Sequence, residues 1–271
     1  MIRHVCPAGS TGALGRVLTV NDATAIVAGW LRETAAVTVL TGAGVSTDSG
    51  IPDFRGPNGF WTKNPDAEKL SDIRYYVRDS EIRRKAWQGR VDSGLLDARP
   101  NPTHHALVDL ERAGHLDTLV TQNIDGLHLA AGTSPEKLVE IHGNAREYVC
   151  LTCEDRGPLE VVLDRIRAGE EDPHCRDCGG ILKSATISFG QAPIEANVAR
   201  AVAASERADV FLALGTSLTV YPVAGLPELA KRHGARLVIV NAEPTPFDDV
   251  ADVVLNESLS EVVPAIVAGV V

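Results

Sequence analysis

Long apolar runs are absent from this 271-residue sequence, and no stretch of about 18 apolar residues could span a membrane as a helix. Residues 1–20 also lack the continuous apolar segment of a secretory signal. We therefore expect no membrane partner and a cytoplasmic location. Gly, Ser and Thr are frequent in residues 1–20, which indicates a flexible N-terminal tail.

Positive charge is also in short supply. Lys and Arg number 26 against 36 Asp and Glu, which gives a formal net charge of −10. This balance excludes tight, non-specific binding to nucleic acid, because such binding needs many phosphate-facing cations, and it favours cationic protein or peptide partners. The apolar fraction of 44% and the charged fraction of 23% are typical of a globular protein that buries a core without disulfides.

Four short apolar runs predict buried strands, at residues 37–40, 118–120, 210–214 and 237–240. Continuous apolar runs are typical of parallel strands that helices cover on both faces. Helical patterns lie between them and begin near Asn101-Pro102, Ile194 and Leu226. The alternation of strands and helices predicts an α/β fold with a doubly wound parallel sheet.

Two stretches interrupt this alternation. Residues 61–100 are polar, charged and helical in character, whereas residues 148–182 carry four cysteines and little apolar periodicity. We expect the two stretches to form a smaller second domain together. Residues 21–60, 101–147 and 183–271 would then form the larger sheet domain.

Four of the five cysteines form two Cys-x-x-Cys pairs, Cys150 with Cys153 and Cys175 with Cys178, separated by 21 residues. Paired turns of this kind present four thiolates to a tetrahedral zinc ion. The alternatives are disulfides, which the missing secretory signal disfavours, and a redox pair, which would not need a second copy. Because four thiolates leave no open coordination position, the pattern predicts one structural zinc ion. Cys6 has no predicted role.

A glycine-rich turn, Gly42-Ala43-Gly44, directly follows the first predicted strand. A strand that ends in Gly-x-Gly is where a sheet commonly binds a dinucleotide phosphate, because glycine lets the backbone approach the anion. The usual third glycine is replaced by Thr47, so a hydride-transfer dehydrogenase is a poor fit. A tight turn without a ligand remains open on this motif alone.

Five polar clusters follow the four apolar runs and a further short run at residues 138–141. They are residues 49–55, residues 121–128, His142-Gly143, Gly215-Thr216-Ser217 and Asn241-Ala242-Glu243. The carboxyl ends of parallel strands meet at one edge of a sheet, so we expect the clusters to converge on one crevice.

These residues resemble the sirtuin family of NAD-dependent protein deacylases over roughly residues 25–265. The motifs that carry the resemblance are Gly-Ala-Gly-Val-Ser at 42–46, Gly-Ile-Pro-Asp-Phe-Arg at 50–55, Thr-Gln-Asn-Ile-Asp at 121–125, His142-Gly143, the four cysteines, Phe189-Gly190 and Gly-Thr-Ser-Leu at 215–218.

The resemblance implies a large Rossmann-like domain and a smaller domain made of a zinc ribbon and a helical module. NAD would lie between them, and an acyl-lysine peptide would enter from the opposite side. It implies that His142 and Asn123 are catalytic, with His142 as general base. The implied NAD contacts are Gly42, Ala43, Gly44, Ser46, Ile51, Asp53, Phe54, Arg55, Trp61, Gln122, Asn123, Ile124, Asp125, Gly215, Thr216, Ser217, Asn241, Glu243 and Leu259. The implied peptide contacts are Phe189, Gly190, Leu218 and Val220.

A neutral imidazole is suited to the implied reaction, because its pKa lies close to working pH and it can take a proton from a ribose hydroxyl. The products would be nicotinamide, O-acyl-ADP-ribose and free lysine. Two alternatives would use the same NAD site: a protein mono-ADP-ribosyltransferase and a long-chain or lipoyl-type deacylase. A non-enzymatic zinc-ribbon module would leave the set His142, Asn123 and Asp125 unexplained.

The sequence departs from the family pattern at three places. Gln191 replaces a common Glu, and Ser184 replaces the usual Pro. A Tyr-x-x-Arg pair that marks preference for acidic acyl groups should fall near residues 86–90, where this chain has Ala-Trp-Gln-Gly-Arg. The missing tyrosine predicts little desuccinylase activity.

Overall fold

The computed structural model describes residues 19–53 and 67–271. The described strands are β1 (Val37–Thr41), β2 (Leu116–Thr121), β3 (Leu138–Glu140), β4 (Gly143–Cys150), β5 (Arg156–Pro158), β6 (Leu182–Thr186), β7 (Val210–Leu214), β8 (Arg236–Val240) and β9 (Val253–Leu255). The α-helices are α1 (Val20–Arg32), α2 (Ala67–Leu70), α3 (Ile73–Arg78), α4 (Ser80–Asp92), α5 (Pro102–Arg112), α6 (Leu127–Ala131), α7 (Leu159–Arg167), α8 (Glu195–Arg207), α9 (Leu226–Arg232) and α10 (Leu259–Ala268).

Six strands form the main sheet in the order β3-β2-β1-β7-β8-β9, and every neighbouring pair is parallel. The strand order reverses between β1 and β7, so the sheet is doubly wound. This topology confirms the predicted α/β class with a Rossmann-like sheet. All four strands expected from apolar runs are present, and β7 has the predicted bounds.

Side chains of the central strands alternate between two buried layers. In β7, Val210, Leu212 and Leu214 pack into one layer, whereas Phe211 and Ala213 pack into the other. The first layer is completed by α1, α5 and α10, and the second by α8 and α9. Because both faces are covered, these strands are apolar at successive positions rather than at alternate ones.

A second, antiparallel sheet has the order β5-β4-β6 and lies beside the carboxyl edge of the main sheet. It packs with α4 and α7 around a small separate core, in which Trp87 and Leu182 are buried. Helix α7 was not expected, although Leu159, Val162 and Leu163 are spaced to bury one helical face. A short amphipathic helix between two metal-binding turns has too few periodic apolar positions to be predicted from the sequence.

The division into domains stays a prediction, but its boundaries meet the observed elements at particular points. The boundary after 147 falls inside β4, and the boundary before 183 falls inside β6. Helix α1 begins at Val20, where Thr19 and Asp22 form a reciprocal capping box, so helix reaches the end of the range assigned to the tail. Residues 1–18, which include Cys6, lie outside the described residues.

None of the helices in the described ranges is both long and apolar enough to cross a bilayer. The cytoplasmic location expected from the sequence stays a prediction.

Candidate active site

A cavity of about 820 Å³ opens at the carboxyl edge of the main sheet, between that sheet and the smaller one. Its volume lies within the range of small-molecule sites, which is roughly 300–1,000 Å³. Sixteen of the predicted NAD contacts and peptide contacts line it together with His142: Gly42, Ala43, Gly44, Asp53, Gln122, Asn123, Ile124, Gly215, Thr216, Ser217, Asn241, Glu243, Leu259, Phe189, Gly190 and Val220. The structure therefore brings residues from six loops into one crevice.

His142 follows β3 and is half-buried in the cavity wall. Its Nδ1 lies 3.1 Å from the backbone oxygen of Gln122. A carbonyl can only accept, so Nδ1 carries the ring proton and Nε2 keeps its lone pair. Burial lowers the pKa of His142 below the ordinary value of 6.5, while the bond to Gln122 opposes that shift. The ring is therefore a neutral base near pH 7.

Asn123 is held by two hydrogen bonds from its side-chain amide. Its Nδ2 donates to the backbone oxygen of Gly42 at 3.0 Å and to Oγ of Ser46 at 3.1 Å. Both amide hydrogens are thereby used on the protein, which leaves the Oδ1 acceptor as the group with open capacity. Asn123 is buried, and it lines the same cavity as His142.

Asp125 and Ser46 stand behind this wall, and neither lines the cavity. Oγ of Ser46 donates to Oδ2 of Asp125 at 2.7 Å, and Oδ1 of Asp125 accepts from the amide of Leu127 at 2.8 Å. Burial raises the pKa of Asp125, and these two hydrogen bonds oppose the rise. Asp125 therefore holds Ser46, and Ser46 accepts the hydrogen bond from Asn123, on the side of Asn123 away from the cavity.

The glycines of the first turn pack against a second turn. A Cβ on Gly42 would lie 2.7 Å from the backbone oxygen of Gly215, and a Cβ on Gly44 would lie 2.8 Å from Cα of Gly215. The amides of Gly42 and Gly44 donate to the backbone oxygens of Leu214 and Gly215. The close contact between two backbones requires glycine at both positions, and their contact with a phosphate stays a prediction.

Polar side chains at the other strand ends are held by one another. Nε2 of Gln122 donates to Oγ1 of Thr216 at 2.9 Å. Nδ2 of Asn241 donates to the backbone oxygen of Glu243 at 2.7 Å, and Asn256 donates to the backbone oxygen of Asn241 at 2.8 Å. These bonds orient the ends of β2, β7 and β8 around the cavity before any ligand is bound.

The predicted peptide-binding residues divide into two groups. Phe189 is exposed and forms a parallel bridge with Asp72, so its backbone lies at the rim with Gly190. Val220 also lines the cavity. Leu218 does not, because it is buried and has a φ of 52°, and it packs in the core beneath the loop.

Ile51 is described but does not line the cavity, and Phe54, Arg55 and Trp61 lie outside the described residues.

The four predicted metal ligands lie together in the smaller sheet region. Sγ of Cys150 is 3.5 Å from Sγ of Cys178, and Sγ of Cys153 is 3.7 Å from Sγ of Cys175. All four sulfurs lie within 4.8 Å of one another, and all four cysteines are free. Four sulfurs about 2.3 Å from one zinc ion would be separated by about 3.8 Å, so the set fits tetrahedral zinc.

Several residues that shape the site were not anticipated. Asp48 and Asn256 line the cavity. Arg146 donates to the backbone oxygens of Asp125 and of three residues in the 95–98 loop, which joins the two sheet regions. Only the position of Asn256 one residue after β9 could have marked it, because it too follows a strand end.

Comparisons with known proteins agree with this arrangement. The model of the Sir2 family matches residues 42–222. NAD-dependent protein deacetylase 2 of Streptomyces coelicolor is 54% identical over 86% of this chain and 97% of its own length. A structure solved in work on the mechanism and regulation of Sir2 enzymes has a TM-score of 0.83 and 36% identity, covering 92% of this chain and 98% of that one. A Sir2 structure with a p53 peptide and NAD+ has a TM-score of 0.78 and 36% identity, covering 87% and 93%.

Proposed function

This chain belongs to the Sir2 family, and from that premise we propose how its own residues remove acyl groups from lysine side chains at the expense of NAD. The protein is an NAD-dependent protein deacetylase, as its relatives are named. The observation that carries the assignment of roles is that His142 and Asn123 line one cavity, with His142 presenting a free Nε2.

NAD is a co-substrate that supplies an activated ribose carbon when nicotinamide leaves. We assign dinucleotide binding to Thr216, Ser217 and Asn241 at the ends of β7 and β8, because all three line the cavity. Asn123 offers its Oδ1 acceptor, because its amide hydrogens are held by Gly42 and Ser46. We assign to Asn123 the orientation of the nicotinamide ribose.

His142 accepts a proton at Nε2 from a ribose hydroxyl. The Gln122 carbonyl fixes the Nδ1–H tautomer and stabilises the imidazolium that forms, since it already accepts from Nδ1. The acyl oxygen of the substrate would first form a bond to C1′ of the ribose as the bond from C1′ to nicotinamide breaks. The ribose hydroxyl deprotonated by His142 would then attack the acyl carbon, and addition of water would release free lysine and O-acyl-ADP-ribose. General base catalysis of this kind contributes typically 10²–10⁴-fold to the rate.

The peptide substrate would lie as an extended strand at the rim formed by Phe189, Gly190 and Val220, by backbone pairing. The related structure with a p53 peptide and NAD+ supports this proposal. The net charge of −10 suits cationic, lysine-bearing peptides.

The test measures nicotinamide release and product mass with an acetyl-lysine peptide and NAD. We expect release to depend on the acyl group, O-acetyl-ADP-ribose as product, and a loss of about 10²–10⁴-fold in kcat for His142→Ala. His105→Ala is the matched control, because His105 is an exposed histidine on α5 outside the cavity, and it should keep the wild-type rate. ADP-ribose left on protein with no free lysine would contradict the proposal and support transfer instead.

A further inference from the structure

A buried chain of hydrogen bonds runs beneath the turn that carries Gln122 and Asn123. Nε2 of His128 lies 3.0 Å from Oγ1 of Thr41, and Thr41 donates from that oxygen to Oγ1 of Thr121 at 2.8 Å. The backbone amide of Asn123 donates to the same Thr121 oxygen at 3.1 Å. The chain therefore joins helix α6 to the cavity wall through the ends of β1 and β2.

The direction of these bonds follows from the hydrogens available. Thr41 has one hydroxyl hydrogen and gives it to Thr121, so His128 must donate from Nε2. Burial holds the pKa of His128 well below its ordinary value, so the ring is neutral and has one N–H. That single N–H is the one directed at Thr41.

His128 is poorly explained as a packing residue. Its Nδ1 is buried and has no hydrogen-bond partner within the described part of the chain, so its side chain makes one hydrogen bond and buries a second polar atom without compensation. An unsatisfied buried polar atom destabilises a fold by at least as much as one hydrogen bond stabilises it. An aliphatic side chain would fill the same space more favourably.

The turn above this chain of hydrogen bonds carries two groups that take part in the proposed mechanism. The side chain of Asn123 faces the cavity, and the backbone oxygen of Gln122 holds Nδ1 of His142. The amide of Gln122 is itself bound to the backbone oxygen of Thr41 at 3.0 Å, so Thr41 contacts the turn from both its backbone and its side chain.

We propose that His128 is a positioning residue for deacylation, acting through Thr41 and Thr121 to hold Asn123 and the Gln122 carbonyl in register with His142. The expected effect on kcat rests on the proposed function, whereas the hydrogen bonds themselves do not. His128 touches neither NAD nor the peptide, because it is buried and does not line the cavity.

The kinetic test compares His128→Leu, which removes the donor, with His128→Gln, whose amide N–H can reach the position of Nε2. We expect His128→Leu to lower kcat about 10- to 100-fold with less than about threefold change in KM. A mutation far from the reacting atoms that displaces a catalytic group by about 1 Å can reduce a rate about 10²-fold. His128→Gln should restore most of kcat. A fall in stability without a change in kcat would overturn the proposal.

A double-mutant cycle separates action through Thr41 from independent damage. Thr41→Val breaks the same chain, so the double variant with His128→Leu should lose no more kcat than the worse single variant. Thr38→Val is the control, since its buried hydroxyl lies in the same strand but donates to the backbone oxygen of Ala204. If the losses of kcat in the two single variants multiply in the double variant, His128 does not act through Thr41 and the proposal is refuted. Thr38→Val should leave kcat unchanged. If His128→Leu does not fold, Thr41→Val carries the same expectation alone.

Amide hydrogen exchange supplies a readout that does not need activity. The amide of Asn123 should exchange faster in His128→Leu and in Thr41→Val than in wild-type protein or Thr38→Val. If the wild-type protein did not deacylate, the proposed function would fail while this measurement still tested the chain. Unchanged exchange at Asn123 would overturn the positioning role of His128.

Discussion

Gly143, the residue after His142, is a position where one added methyl group should both destabilise the fold and displace the catalytic histidine. Its φ is +77°, a conformation that residues with a Cβ rarely adopt. A Cβ there would lie 2.2 Å from the backbone oxygen of Ala185 and 3.0 Å from Cα of Thr186. Both atoms belong to β6, which pairs with β4, so Gly143→Ala must push the two strands apart beside His142.

The expected magnitude has two parts. A left-handed conformation is less favourable for alanine by about 1–2 kcal/mol. Overpacking of a tight contact typically destabilises by about 1–3 kcal/mol more, because a backbone oxygen cannot rotate away. Gly143→Ala should therefore lower the free energy of unfolding by about 2–5 kcal/mol. A shift of His142 by about 1 Å should also reduce kcat on the order of 10²-fold in the molecules that remain folded.

The matched control is Gly114→Ala. Gly114 has a φ of +84°, but a Cβ there would meet no atom within 4 Å, so only the conformational part applies. Urea denaturation and steady-state deacetylation of both variants give the comparison. The reasoning fails if Gly143→Ala is destabilised no more than Gly114→Ala, or if its kcat matches that of the wild-type protein.

Three further predictions concern the metal, the base and the acyl group. Removal of zinc, verified by metal analysis, should increase hydrogen exchange across residues 148–182 and abolish deacetylation. The reason is that Cys150 and Cys175 are themselves part of the small core in this region. Full activity in metal-free protein would contradict this prediction. The acid limb of kcat/KM should have its midpoint below 6.5, because burial lowers the pKa of His142 and the base is lost only when pH falls through that lowered value. Glu140→Gln should leave the limb in place, since Glu140, whose pKa is raised to about 7 by burial, does not line the cavity; a limb that moves with this variant would assign it to Glu140. Acetyl peptides should react faster than succinyl peptides, because Trp87 stands where the tyrosine would be and offers no hydroxyl to an acyl carboxylate, although Trp87 and Arg90 both line the cavity; faster desuccinylation would reverse this and point to Arg90 as the carboxylate partner.

Local sequence patterns were sufficient for features that depend on neighbouring residues. The strand at Val210–Leu214 is apolar at every position because both faces of the sheet are covered, and that arrangement leaves a readable run. The two Cys-x-x-Cys pairs define a metal site because each pair presents both sulfurs from one turn. The position of His142 directly after a strand was enough to place it at the edge of the sheet.

Features that depend on contacts between distant segments required the tertiary structure. The family resemblance implies that Asp125 contacts NAD, and only the structure shows that Asp125 bonds Ser46 behind Asn123 and does not line the cavity. The sequence predicts a phosphate contact at Gly42, but only the structure shows that a Cβ there would also meet Gly215, more than 170 residues away. The link from His128 to Thr41 spans 87 residues and has no local signature. The sequence by itself determined which residue types reach the edge of the sheet, because the end of a strand is a local feature. Only the fold decided which of these residues face the cavity and which support it, because that depends on contacts between distant segments that the core brings together.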